Sequence, residues 1–189
     1  MSASQEPMTL EAFLEWEERQ PLKYEFDGIR VRAMTGGSVN HSRVQRNLLS
    51  ALTNRLRGGP CEPFGSDMKV ITSHGARYPD ASVVCVRLPG AETSTQHATI
   101  VFEVLSPSTS GVDRFEKNQE YRDTPSIQRY VILEQDRLAA TVFNRENSDW
   151  TGHLVTGEID LSLPEIGISI PLAEIYEGVE LAIDPQLPA

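Results

Sequence analysis

Thr99-Ile100-Val101-Phe102-Glu103-Val104-Leu105 has the make-up of a buried β-strand, with one carboxylate in its middle. β-Branched and aromatic side chains favour an extended chain, and strand alternation sends Thr99, Val101, Glu103 and Leu105 to one face and Ile100, Phe102 and Val104 to the other. An ionised carboxylate buried without a partner is strongly destabilising or has its pKa driven upward, so Glu103 calls for a cation, a donor network or a metal. Upstream, Tyr78-Pro79-Asp80 leads into the apolar strand Ala81-Ser82-Val83-Val84-Cys85-Val86, where Tyr78, Asp80, Ser82 and Val84 share a face. Pairing of these two strands would bring Asp80 and Glu103 within reach of one ion. Two carboxylates and a backbone carbonyl, such as that of Val104, form an oxygen-rich site suited to Mg²⁺ or Mn²⁺.

Around these strands the sequence predicts an α+β layout. Thr9 caps a short helix to about residue 18, with Leu10, Phe13, Leu14 and Trp16 as its apolar stripe, and Pro21 ends it. Residues 22–26 and 29–34 read as a hairpin closed by Asp27-Gly28. After Thr35-Gly36-Gly37-Ser38, a helix over residues 40–57 carries Val44, Leu48, Leu52 and Leu56 at four-residue spacing, and Gly58-Gly59-Pro60 stops it. Strands are expected at 68–72, 77–86, 99–105, 129–134, 138–145, 150–156 and 166–170, with a polar loop at 87–97 and a last helical turn at 172–176. The helix at 113–122 places Asp113, Lys117 and Tyr121 on one face. No repeat or linker interrupts the 189 residues, so a single domain is expected over 1–189: mixed strands around one core, the long helix against one face.

The Pro-Asp pair, the Glu-Val-Leu-Ser-Pro-Ser-Thr run and the Asp-x-x-x-Lys helix together resemble the Uma family, restriction-endonuclease-like proteins of the PD-(D/E)XK nuclease superfamily. The likeness runs from about residue 24 to 176 and also takes in Tyr24-Glu25-Phe26-Asp27-Gly28, Met34-Thr35-Gly36-Gly37-Ser38, His41, the segment Phe64 to Val70, Arg129-Tyr130-Val131 and Leu172-Ala173-Glu174-Ile175-Tyr176. It implies a restriction-endonuclease-like fold, a mixed central sheet flanked by helices with its core at 22–177. It also implies metal-dependent hydrolysis of DNA, with Asp80, Glu103 and Lys117 catalytic. Asp80, Glu103 and the Val104 carbonyl would hold Mg²⁺ or Mn²⁺, and Glu25, His41 and Tyr121 would support the site, with Asp67 and Asp113 near it. A homodimer is the arrangement the class suggests. Leu105 stands where the superfamily usually has its lysine, so Lys117 is the matching candidate for a migrated one. Asp27-Gly28 comes one residue earlier than in the family's usual E-x-x-D-G pattern.

Plainer roles exist for each residue. Glu103 could pair with an arginine, Asp80 could serve a turn after proline, and Lys117 could pair with Asp113 in solvent. Ser106, Ser108 and Thr109 could bind phosphate or cap the following helix. A net charge of −10 counts against a protein that coats nucleic acid nonspecifically, though a nuclease can confine its positive charge to one cleft. The candidate basic segments are Arg43-Val44-Gln45-Arg46 and Arg55-Leu56-Arg57. Charge and Leu105 therefore also suit a catalytically idle binding or assembly module of the same fold. Cys61 and Cys85 lack a C-x-x-C spacing and are expected to be reduced, without a Cys-based zinc site. No stretch is apolar enough to span a bilayer, and the N-terminus lacks a signal-peptide layout, which makes the cytoplasm the expected compartment.

Overall fold

The computed structural model describes residues 8–105 and 112–182. Thr9 starts α1 (Leu10–Glu17) by accepting the Ala12 amide at 3.2 Å on its hydroxyl. The strands β1 (Tyr24–Phe26) and β2 (Val31–Ala33) pair antiparallel across a turn where the Asp27 carboxylate accepts the Ile29 and Arg30 amides and Gly28 adopts a φ of 88°. Ser38 caps α2 (Val39–Leu56), whose buried face is Val44, Leu48, Ala51, Leu52 and Leu56. There follow β3 (Glu62–Gly65), β4 (Lys69–Ile71), β5 (Ala76–Arg77), β6 (Ala81–Val84), β7 (Ser94–Thr95) and β8 (Ala98–Leu105). The chain continues through α3 (Val112–Asp123), β9 (Arg129–Glu134), β10 (Ala139–Glu146), β11 (Asp149–Thr156), β12 (Asp160–Leu163), a 3-10 turn (Pro164–Ile166), β13 (Ile168–Pro171) and α4 (Leu172–Ile175).

The main sheet has the order β11-β10-β9-β8-β6-β3; β8 and β9 run parallel and its other neighbours antiparallel. A parallel pair needs a crossover, and α3 lies within it. A second sheet has the order β2-β1-β5-β4-β7, and β12 pairs with β13. Strand alternation divides the core. Ile100, Phe102 and Val104 join Val131 and Leu133 in one cluster with the buried face of α2, whereas Val101 joins Tyr130, Ile132 and Tyr121 of α3 in another. Phe13 of α1 packs with Phe26 and Ile71 in a third. Among the described residues, no helix is long and apolar enough to cross a membrane.

The structure corrects the sequence reading at several points. The strand expected at 77–86 is two strands in different sheets, β5 and β6, separated at Tyr78-Pro79-Asp80, because Pro79 has no amide for a ladder. Strand β3 escaped prediction because it contains Pro63, which is tolerated at the edge of the main sheet. Two further short strands, β7 and β12, lie in segments read as loop or turn. Cys61 and Cys85 form a disulfide rather than standing reduced: antiparallel pairing of Glu62 with Val84 sets them opposite one another, a neighbourhood that their 24-residue separation hides.

A buried ion pair anchors α1. The Glu17 carboxylate lies 2.7 Å from the Lys69 ammonium and accepts the Tyr78 hydroxyl at 2.8 Å, bracing the residue that precedes Pro79-Asp80. Burial raises the Glu17 pKa, but Lys69 and Tyr78 outweigh it and hold the group below the usual carboxylate range. Its contribution to stability is therefore full above the unfolded carboxylate pKa and is lost as pH falls through the lower folded value. Glu17→Ala strands the Lys69 charge and should destabilise by ~3–5 kcal/mol in urea denaturation at neutral pH. A loss under about 1 kcal/mol, the range of exposed pairs, would show that the pair is not desolvated as described.

Candidate active site

Ladder register builds the site. Val83 pairs with Ile100, Ser82 with Val101 and Ala81 with Phe102, so the next step of the antiparallel ladder sets Asp80 opposite Glu103. Asp80 is held from two sides: Oδ2 accepts the Val104 amide at 2.7 Å, and Oδ1 lies 3.2 Å from Nε2 of His41. Gln45, one helical turn beyond His41 on α2, donates to the Asp80 carbonyl at 2.9 Å. Gly37 leaves room for the imidazole; a Cβ there would stand 2.6 Å from Nδ1 of His41.

Glu103 is held by α3. Its Oε1 accepts Nζ of Lys117 at 3.0 Å and the hydroxyl of Tyr121, one turn further on, at 2.8 Å. Lys117 also donates to Oε1 of Glu25 at 3.1 Å. Glu25 in turn accepts the Tyr78 amide at 3.1 Å and Nη1 of Arg77 at 3.3 Å. These groups open onto a cleft of about 200 Å³, which Arg32, Gly36, Leu105 and Tyr130 also line.

Burial raises the Glu103 pKa, and the Asp80 and Glu25 charges push it the same way against the pull of Lys117, so that it reaches about 7. Burial would lower Lys117, but Glu103 and Glu25 reverse that and hold the ammonium charged. Glu25 stays below the usual range, since Lys117 and Arg77 overcome its desolvation. The contact with Asp80 raises His41 above its ordinary value.

Asp80, Glu103, Val104, Lys117, Glu25 and His41 thus line one cleft, and Tyr121, fully buried behind it, reaches the site through its hydrogen bond to Glu103. Lys117, from the helix, contacts Glu103 two residues before Leu105, which lines the same cleft. Asp67 is elsewhere, ion-paired with Lys23 and 98% exposed at its side chain. The Asp113 side chain and Ser106, Ser108 and Thr109 fall outside the described residues. The expected basic segments do not line the cleft: Arg43 faces Glu180, Arg46 bonds Asn47, and Arg55 pairs with Glu174. Among the described residues, the lining cations besides His41 are Arg32 and Lys117. Sequence reasoning missed Arg77, which reads as the polar start of a strand, and Gln45, whose one available signal is its i+4 spacing from His41.

Among the described residues, no three His, Cys, Asp or Glu side chains are grouped to hold a metal by themselves. Mg²⁺ commonly takes one or two carboxylates and completes its shell with water and phosphate oxygens. Asp80 and Glu103, which both line the cleft, are the hard-oxygen donors that could hold such an ion.

Residues 10–173 match the family model described as "Uma2: Putative restriction endonuclease". The chain belongs to the Uma2 family. It is similar to the "Uncharacterized protein slr1290" of Synechocystis sp. (strain ATCC 27184 / PCC 6803 / Kazusa), at 36% identity over 175 residues, 89% of this chain and 91% of that protein. The "Uncharacterized protein sll1609" of the same organism is 31% identical over 133 residues, 68% of this chain and 75% of its own length. Among solved structures, "a putative nuclease belonging to DUF820" from Anabaena variabilis ATCC 29413 matches with a TM-score of 0.74, covering 90% of this chain and 98% of that one. At 15% identity that likeness is one of fold, and it agrees with the restriction-endonuclease-like α+β architecture.

In this Uma2 chain Gly37→Ala should push the imidazole away from Asp80, since the added Cβ would overlap the ring. The His41 pKa, followed by NMR, should then fall toward its ordinary value. An unchanged titration would mean that the ring is not held by this packing.

Proposed function

We propose that the chain is a metal-dependent endonuclease that hydrolyses DNA phosphodiester bonds. The observation that carries the proposal is that Asp80 and Glu103 line one cleft while a half-buried lysine from the next helix contacts Glu103. Asp80, Glu103 and the Val104 carbonyl would hold Mg²⁺ or Mn²⁺. When bound, such an ion supplies Lewis-acid polarisation of the phosphate and a more acidic water. The Lys117 ammonium stabilises the charge that grows on the phosphate or orients the attacking water. Tyr121 and His41 fix the two carboxylates, and Glu25 fixes Lys117. Arg32, which lines the cleft and donates to Glu116 at 2.9 Å, would share its guanidinium between that carboxylate and a phosphate. A homodimer would present two clefts to the two strands of a duplex.

The idle binding module keeps one observation in its favour: two of the predicted basic arginines, Arg43 and Arg55, are ion-paired with Glu180 and Glu174. Purified protein with supercoiled and single-stranded DNA separates the two readings. Wild type should cleave with Mg²⁺ or Mn²⁺ and stop on chelation, and Asp80→Asn, Glu103→Gln and Lys117→Met should each lose ~10²-fold or more. DNA binding without cleavage would favour the module, and equal cleavage by all variants would refute the site.

A further inference from the structure

We propose that Arg77 is a positioning residue that fixes where the Lys117 ammonium stands between Glu25 and Glu103. The inference rests on the nuclease reading of the same cleft. Arg77 on β5 is only 1% exposed and is among the largest fully buried side chains. Its guanidinium spans two carboxylates from different elements. Nε and Nη2 donate to Oε2 of Glu120 on α3 at 2.8 and 2.5 Å, and Nη1 donates to Oε2 of Glu25 on β1 at 3.3 Å. The Thr72 hydroxyl occupies the other oxygen of Glu120 at 2.5 Å.

Glu120 lies three residues after Lys117 and immediately before Tyr121, so its tether sets the height of the helix segment that serves Glu103. Lys117 has nearly equal distances to Glu25 and Glu103, 3.1 and 3.0 Å, and the charge left on Glu25 therefore decides how the ammonium is shared. Arg77 and the Tyr78 amide take part of that charge. Without Arg77, Glu25 has Lys117 as its nearest counter-charge and draws it away from Glu103. The planar fork of Arg77 reaches Glu120 with two of its nitrogens and Glu25 with a third, a spread of donors that the single ammonium of a lysine at this position does not reproduce.

Two variants test the role. Arg77→Lys keeps the charge and loses the fork, and Arg77→Met with Glu120→Gln removes the buried pair without stranding Glu120. The readouts are turnover, Mn²⁺ affinity measured by electron paramagnetic resonance, and the slowly exchanging Lys117 ammonium signal in ¹⁵N NMR. Positioning predicts a turnover loss of ~10²-fold, loss or displacement of the ammonium signal, and Mn²⁺ affinity that holds or rises because Glu103 is freed of its competitor. Wild-type turnover with an unchanged ammonium signal in either folded variant would overturn the proposal. So would Mn²⁺ affinity that falls in step with thermal stability, or failure of both variants to fold, since each makes Arg77 purely structural. If the wild type itself cleaves no DNA, the nuclease reading fails, and the ammonium signal alone still decides whether Arg77 positions Lys117.

Discussion

The buried Glu103 carboxylate, compensated by an ammonium from the following helix, is the interaction on which the cleft depends. Its strand lies between apolar layers, and its side chain is only 13% exposed. Left alone, such a charge would be protonated or would destabilise the fold. Lys117 and Tyr121 meet it because β8 and β9 run parallel, and a parallel pair brings the crossover helix back over the sheet. The helix lies on the face to which alternation also sends Val101 and Glu103. Once the cation comes from α3, the strand position at 105 is free to be leucine, and the apolar residue lines the cleft instead.

Asp80 depends on a different constraint. The chain leaves the five-stranded sheet after β5 and enters the six-stranded sheet at β6, and Pro79 marks the crossing. Asp80 therefore precedes the ladder proper, opposite Glu103, with its carboxylate turned to the Val104 amide and to His41. The same crossing places Tyr78 where its hydroxyl reaches Glu17 and its amide reaches Glu25. One break between sheets thus links the α1 anchor, the Glu25 support and the Asp80 carboxylate.

Much of this was legible in the sequence because it is periodic. Alternation placed Glu103 and Val101 on one strand face, four-residue spacing placed Val44, Leu48 and Leu52 on one face of α2, and the same spacing placed Lys117 and Tyr121 on one face of α3. What escaped is set by pairing between distant segments. Nothing local to Cys61 or Cys85 shows that β3 and β6 are neighbours, and nothing local to Arg77 shows two carboxylates waiting for it. Arg43 and Arg55 of α2 looked available for phosphate because their partners, Glu180 and Glu174, lie over a hundred residues away. Lys117 illustrates the same limit in reverse: its helix face was readable, whereas its choice of Glu103 and Glu25 belongs to the tertiary structure.

Anomalous diffraction from a crystal grown with Mn²⁺ tests whether Asp80 and Glu103 share one ion. One strong peak is expected between their carboxylates, beside Val104, with Lys117 still in the cleft. A crystal with no peak there, or with Mn²⁺ held by other residues while Asp80 and Glu103 keep only their protein partners, would contradict a shared ion.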